Sequence, residues 1–229
     1  MSDVASPLAD FGGIVRLFPL PGLVFFPHVV QPLHIFEPRY RQMTADALAG
    51  DQLITMVLPR PGWEEDYDGR PALHPVACVG QVVTAHPLPD GRYNLLLRGV
   101  SRARILEELP QDKLYRQARV QLLAERPVAD AVRQEAWRRR LLEKLPAWFP
   151  DSPVVVEKFR QVFLSADLSP GVLCDTLAFA LPLDVEVKQA LLAELDDEAR
   201  LVRLLEHLET KTPPAPAAPR RPPLDFSVN

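Results

Sequence analysis

The sequence predicts an α+β fold in two parts: a small, partly closed β-barrel carrying one helix, followed by an α-helical bundle. Three observations carry that reading. Residues 14 to 125 break into short segments rich in β-branched residues and punctuated by proline and glycine, the pattern of strands and turns. After Pro127 the apolar residues recur three or four apart, the helical period. Between them in kind is FPLPGLVFFPHVVQPLHIFEPRYRQM, residues 18–43, with five prolines from Phe18 to Pro38. Proline fixes φ and removes a backbone donor, so this stretch is expected as short bent strands and not as a long helix.

Taken in order, residues 1–13 are expected as a flexible N-terminus. The single helix of the barrel should start at Pro38, whose missing N–H costs nothing at a first helical position, and stop near Gly50. Tyr40, Met43, Ala47 and Leu48 fall at helical spacing and are expected to face the core. QLITMVLP (52–59) and PVACVGQVVTAHPLP (75–89) read as strands, and the acidic WEEDYDG between them as a surface loop. Asp90-Gly91 is the pair that a tight hairpin turn prefers, so the strand that follows should fold back on the one before. In YRQARVQLL (115–123), Arg116, Ala118, Val120 and Leu122 alternate with Gln117, Arg119 and Gln121, one face buried and one wet. About six strands with one helix suggest the partly closed barrel.

Five helices are expected next, over 128–145, 154–166, 169–181, 184–195 and 197–209. Val155, Phe159, Val162, Phe163 and Ala166 form the clearest apolar stripe. Ser169-Pro170 reads as an N-cap with proline in the first turn, and Asp184 and Asp197 are expected to cap their helices. Residues 126–210 therefore form the helical subdomain. Residues 211–229, with six prolines in nineteen positions, hold too little apolar surface to offset ordering entropy and are expected as a disordered tail.

Composition narrows the function. The 229 residues are 47% hydrophobic with net charge −4, and up to Glu125 there are 12 Lys and Arg against 14 Asp and Glu. Phosphate binding usually demands a basic excess, so nucleic acid is disfavoured as a partner. No apolar run reaches about 18 residues and the first residues lack the layout of a signal peptide, which gives no membrane span and a cytoplasmic expectation. Cys78 and Cys174 belong to no C-x-x-C and are expected as buried reduced thiols.

Four segments together carry a resemblance. FPLPGLVFFPHVVQPLHIFEPRYRQM, ACVGQVV, DGRYNLLLRGVSRARI and LPLDVEVKQALLAELDDEARL resemble, in that order, the N-terminal substrate-recognition domain of Lon proteases, across residues 14 to 209. The resemblance implies a PUA-like β-barrel packed on a helical subdomain. It also implies recognition of polypeptide, without proteolysis. Lon's ATPase module needs a G-x-x-x-x-G-K-[ST] phosphate loop, which does not occur in these residues, and its Ser-Lys protease dyad sits in a further domain. A stand-alone recognition domain that is not an enzyme, needs no cofactor and exists as a monomer or weak homo-oligomer is the resulting expectation.

Candidate residues follow. Phe25 and Phe26 are consecutive in an expected strand, so period two sends them to opposite faces and one of them toward an outer groove. His34 should border the barrel surface, since Leu33 and Ile35 take the opposite face. Trp63, in a loop beside Pro61 and Gly62, is either tucked under a strand end or an interaction anchor. Glu37, Pro38, Arg39 and Tyr40 read as a structural motif: Glu37 complements the positive end of the helix, and Arg39 is solvated or paired locally. Pairing of Glu37 with Arg98 or Arg102 is the other possibility.

Several chemistries lack candidates. His28, His34, His74 and His86 follow no zinc spacing, so no metal site is expected. Glu64, Glu65, Asp66 and Asp68 lack the spacing of a calcium loop. The serines show no G-x-S-x-G context. Arg138, Arg139 and Arg140, flanked by Glu135 and Glu143, are expected as a salt-bridged helix face. Two partner classes remain from the sequence. One is a polypeptide, unfolded or a specific partner protein, bound in an apolar groove between barrel and bundle with strand addition at an open barrel edge. The alternative is an RNA-binding PUA-like module, which the acidic balance argues against.

Overall fold

The computed structural model describes residues 7–9, 11–66, 69–149, 152–165 and 168–210. The expected N-terminal arm in part, and the expected tail entirely, lie outside the described residues. Six strands come first: β1 (Ile14–Pro19), β2 (Val30–Ile35), β3 (Leu53–Val57), β4 (Val76–Pro87), β5 (Tyr93–Glu108) and β6 (Arg116–Leu123). One helix, α1 (Pro38–Leu48), interrupts them, and α2 (Ala131–Trp148), α3 (Pro153–Ser165), α4 (Pro170–Ala180), α5 (Val185–Ala193) and α6 (Asp197–Thr210) follow.

The sheet order is β2-β5-β4-β3-β1-β6, and β6 pairs again with β5. That second pairing closes a ring of five strands and leaves β2 as an added edge strand. β5 makes the closure possible because it is sixteen residues long. Its first half pairs with β2 from Tyr93 to Arg98, its second half with β6 from Arg102 onward, and β4 runs along both. Two register shifts let the paired strands bend together, one with the extra residue Val100 on β5 and one with the extra residue Val83 on β4. The Asp90-Gly91 turn is present as expected: Gly91 has φ +79 and Asp90 accepts from the Arg92 amide at 3.0 Å.

Barrel strands bury two faces. Val15, Leu17, Leu53, Val57, Ala77, Val79, Ala103, Ala118 and Val120 fill the interior. Small and β-branched side chains suit so narrow a barrel. Phe18, Ile54, Met56 and Cys78 face outward into a second core shared with α1 and the helical subdomain. Thus β3 is buried at all five positions, as the continuous apolar run LITMV requires.

Between β1 and β2 the chain is irregular, and Phe25 and Phe26 belong to no strand. The expectation that one of them reaches an outer groove does not hold, because both are buried in the second core. Period two is lost once the chain leaves the ladder. Glycines receive this segment: a Cβ at Gly80 would meet Phe25, and one at Gly99 would collide with the Phe26 carbonyl. His28 donates its amide to Gly99 at 2.9 Å, and Gly99 donates to Val29 at 2.9 Å. His28 sits at φ +66, a left-handed conformation rare outside glycine, to make that turn.

In α1, Tyr40, Met43 and Ala47 are buried as expected, but Thr44 takes the place assigned to Leu48, which is exposed. Thr44 Oγ1 donates to the Tyr40 carbonyl at 2.8 Å, so its hydroxyl is satisfied inside. The helical subdomain shows similar small departures. α2 continues through Pro146 to Trp148, where Trp148 is buried and donates to the Leu208 carbonyl at 3.2 Å. Packing of the last turn outweighs the lost backbone bond. Ser169 caps α4 through the Val172 amide, as expected. Asp184 makes no side-chain cap bond, and α6 is capped by Asp196, which accepts from the amides of Glu198 and Ala199 at 3.0 Å. Asp197 is thereby freed for a different task.

That task is joining the two halves. Arg102 on β5 and Arg200 on α6 are fully buried. Arg102 reaches Asp175 on α4 at 2.7 Å, Glu125 at 2.7 Å and the Leu192 carbonyl of α5 at 2.9 Å. Arg200 reaches the same Asp175 at 3.2 Å and Glu125 at 2.8 Å, with Asp197 at 2.7 Å. Burial would raise Glu125, but the two guanidinium charges outweigh it and hold the carboxyl below its ordinary value. Burial pushes Asp197 up to about 6 against the pull of Arg200. An ionic cluster therefore joins β5 of the barrel to α4 and α6 of the bundle.

Candidate functional site

Exposed apolar surface lies on the barrel. In β2 the outward positions alternate strictly: Val30, Pro32 and His34 are exposed while Ile35 is buried. Register sets them beside Arg98, Leu96 and Asn94 of β5, which in turn pair with Gln81, Thr84 and His86 of β4. Three strands thus present one outer face. On it, Phe36 is 59% exposed, Val83 52%, Val30 48% and Leu96 37%. Val83 is exposed next to buried Val82 by ordinary alternation, and as the extra residue of the β4 bulge it leaves Thr84 exposed as well. His34 borders the surface as expected, with Nδ1 2.7 Å from Asn94 Oδ1 and its ring stacked with Phe36 at 6.1 Å. Pro32, His34, Thr84, His86 and Leu96 line a shallow depression in this face. β2 has β5 on one side and ends the sheet on the other.

A second concavity, of about 160 Å³, gathers three residues singled out from the sequence: Arg39, Tyr40 and Trp63. Trp63 is half-buried in a short 3₁₀ turn and lines this cavity together with Leu114, Tyr115, Arg70 and Arg116. Tyr40 packs against Phe18 at 4.4 Å between ring centroids. Arg39 pairs locally with Glu37 at 2.8 Å and lies over the Tyr40 ring. The alternative pairing of Glu37 with Arg98 or Arg102 is not what these arginines do. Arg98 donates to Gln81 at 2.8 Å, and Arg102 is turned into the ionic cluster. Tyr115 donates to Asp46 at 2.8 Å; burial and that bond push its phenol up to about 12.

Burial raises Glu108, but hydrogen bonds from Arg116 and Arg70 outweigh it and leave the carboxyl below its ordinary value. A carboxylate held ionised by two guanidinium groups is a weaker proton acceptor than a free one. Both thiols, Cys78 and Cys174, are buried and free, and burial pushes each well above its ordinary range, which makes them poor nucleophiles. Among the described residues no cluster of three or more His, Cys, Asp or Glu is arranged to hold a metal ion. His74 lies 3.4 Å from Glu186 on α5, His34 meets Asn94, and neither is near the other. In the arginine run on α2, Arg138 donates to the Leu168 carbonyl and Arg140 lies over the Trp137 ring, and among the described residues no ion pair to Glu135 or Glu143 is found. No described helix is long and apolar enough to cross a membrane.

Sequence reasoning missed Val30, Phe36, Val83 and Leu96. Extending the alternation that placed His34 outward assigns Val30, Pro32 and Phe36 to the same side, so part of the patch was readable. Val83 was not, because its place beside them depends on the pairing of β4 with β5.

Comparison with known proteins places this geometry in a family. Residues 14–210 match the substrate-binding domain of ATP-dependent protease La (LON). The chain is 29% identical over 205 residues to Lon protease of Anaeromyxobacter dehalogenans, covering 88% of this chain and 24% of the relative. It is 30% identical over 194 residues to Lon protease of Heliobacterium modesticaldum, covering 84% and 23%. It thus spans about a quarter of the length of these relatives. Among solved structures, the N-terminal domain of Mycobacterium avium complex Lon protease superposes with a TM-score of 0.65 at 16% identity, covering 86% of this chain and 98% of that one. The Lon N-terminal domain protein from Xanthomonas campestris gives 0.61 at 22% identity, covering 84% and 97%. With its strands, its helices and the joint between them all inside the matched range, the chain belongs to the Lon substrate-binding domain family.

Proposed function

We propose that this protein binds polypeptide without chemistry of its own, and that the outer face of β2, β5 and β4 is where it does so. The observation that carries the reading is the exposure of Phe36, Val83, Val30 and Leu96 on one continuous sheet face beside a strand edge that has no partner among the described residues. Isolated exposed apolar residues are ordinary, whereas several on one face mark an interaction site. An extended client segment would lie along β2, take backbone hydrogen bonds from its free edge and place alternate side chains on the patch. Pro32 leaves one donor out of that edge, so side-chain burial has to supply most of the affinity. Membership of a substrate-binding family supports a protein partner. A single shallow face opposes the ordering entropy of an unfolded client with little contact, so one copy should bind at micromolar strength or weaker.

The test is titration of a fluorescently labelled protein, once reduced and carboxymethylated so that it stays unfolded and once native. Binding of the unfolded form alone is expected. The double substitution Phe36→Ser/Leu96→Asp should weaken it roughly tenfold or more without changing the melting temperature, since both side chains are exposed. Equal affinity for the two forms, or indifference to the double substitution, overturns the assignment.

A further inference from the structure

The outer face of β2, β5 and β4 holds its charge at one end. Register divides it into rows across the strands: Val30, Arg98 and Gln81, then Pro32, Leu96 and Thr84, then His34, Asn94 and His86. Phe36 follows just beyond His34. Arg98 is exposed and donates to the neutral Gln81 at 2.8 Å, and among the described residues it forms no ion pair. Arg16, Arg70 and Arg92 differ from it, each being held by a carboxylate of the barrel. No row contains an acidic residue. Glu37 and Asp90, just past the strand ends, are paired with Arg39 and Arg92. One end of an apolar face thus carries a positive charge that the face itself does not neutralise.

Successive rows are two residues apart, about 6.8 Å along a strand, which is also the spacing of alternate side chains in any extended segment. A segment added to the outer edge of β2 pairs best antiparallel, the more stable ladder. Its chain then runs from the Phe36 end toward the Arg98 end, opposite to β2. We infer that the face selects an extended client segment reading apolar-x-apolar-x-acidic from N- to C-terminus. The first apolar side chain lies against His34 and Phe36, the second against Pro32 and Leu96, and the carboxylate at the Val30 row, where it meets Arg98. The added strand and β5 are two strand spacings apart, about 9.6 Å, a gap that a glutamate and an arginine side chain span together. Turning toward the client costs Arg98 at most its exposed bond to Gln81. A second copy of this chain on the same edge would bring Arg98 no carboxylate, because β2 holds none. The inference rests on the client-binding reading and names the client class of that same face.

Fluorescence anisotropy with the peptide Gly-Phe-Thr-Leu-Thr-Glu-Gly, labelled at its N-terminus and amidated at its C-terminus, tests the selection. Replacing its glutamate by glutamine should weaken binding about two- to fivefold, the range of an exposed ion pair, and the difference should shrink at about 1 M salt. The reversed order, Gly-Glu-Thr-Leu-Thr-Phe-Gly, should bind no better than the glutamine peptide. Arg98→Gln should make the glutamate and glutamine peptides equal, and Arg98→Glu should shift the preference to a lysine peptide. Neither change should move the melting temperature, since Arg98 is exposed. Equal binding of all the peptides that Phe36→Ser/Leu96→Asp still abolishes would overturn the acidic preference and leave the client-binding face standing. Equal binding that the double variant leaves untouched removes both. No binding of any peptide at about 1 mM overturns the inference, and titration of the unfolded protein then decides the client-binding reading by itself. A dimer in size-exclusion chromatography that the glutamate peptide dissociates would make a second copy the occupant and overturn the inference as well.

Discussion

Asp175→Asn tests how the two halves of the molecule are held together. Asp175 is 1% exposed and stands between two guanidinium groups that are fully buried, 2.7 Å from Arg102 and 3.2 Å from Arg200. Asparagine keeps the shape, so no cavity opens, but it removes the charge. Arg102 then keeps Glu125 and the Leu192 carbonyl, and Arg200 keeps Glu125, Asp197 and the Glu194 carbonyl. Each arginine loses one partner in a site that water does not reach. Breaking one buried ion pair costs about 3–5 kcal/mol, and for a domain of this size each kcal/mol moves the midpoint by about 2–4 °C, so a fall of roughly 6–20 °C is expected. Thermal unfolding followed by far-ultraviolet circular dichroism reads it directly. Protease sensitivity should also rise in the 123–131 connection, whose Arg126 is held by backbone bonds to Leu195 and Asp197. A midpoint within about 2 °C of the parent, with no change in proteolysis, would refute the view that this cluster joins barrel to bundle.

Two further outcomes follow from other parts of the molecule. Asp197 titrates upward in the fold, from an ordinary carboxyl value of 3.8 to about 6, so its protonated form is the one the fold favours; its contribution to stability is complete below about pH 4 and disappears as the pH rises to about 6. Denaturant unfolding across pH 4–7 should show that decline in the parent and a flatter profile in Asp197→Asn; identical profiles would dismiss the assignment. Gly99→Ala should lower stability by about 1–3 kcal/mol, the usual cost of overpacking, because the added methyl meets the fixed Phe26 carbonyl and not a side chain that can turn away; a neutral effect in the same assay would mean that the segment carrying Phe25 and Phe26 is not docked on β5.

The order of elements was legible because each rests on local chemistry. Pro38 at the first turn of α1 and Ser169 at the cap of α4 act on backbone groups within three residues of themselves. The alternation in β6 and the Asp90-Gly91 turn are equally local. What the sequence hid depends on long-range placement. Nothing near Arg102 announces that a charged residue in a strand will be wholly buried, since two of its three bonds run to residues 73 and 90 positions away and the third to Glu125. The burial of both Phe25 and Phe26 likewise depends on Gly80 and Gly99, which leave room for them from distant strands.

The same distinction explains where the candidate surfaces are. A groove at the junction of barrel and bundle was a natural expectation, yet a junction held by Arg102, Asp175, Arg200 and Glu125 cannot open without stranding buried charge. Solvating such groups would require the two halves to separate altogether, and the cost worked out for Asp175 sets the scale of that barrier. A binding surface that has to admit clients repeatedly is better placed where no internal bond must break. The outer face of β2, β5 and β4 meets that condition: its apolar side chains are already exposed, and its side-chain pairings join neighbouring strand residues, His34 with Asn94 and Arg98 with Gln81. Rigidity at the joint and exposure on the sheet are therefore complementary. The ionic cluster fixes β5 from behind at Arg102, and the same strand presents Leu96 and Asn94 to the outside, six and eight residues earlier.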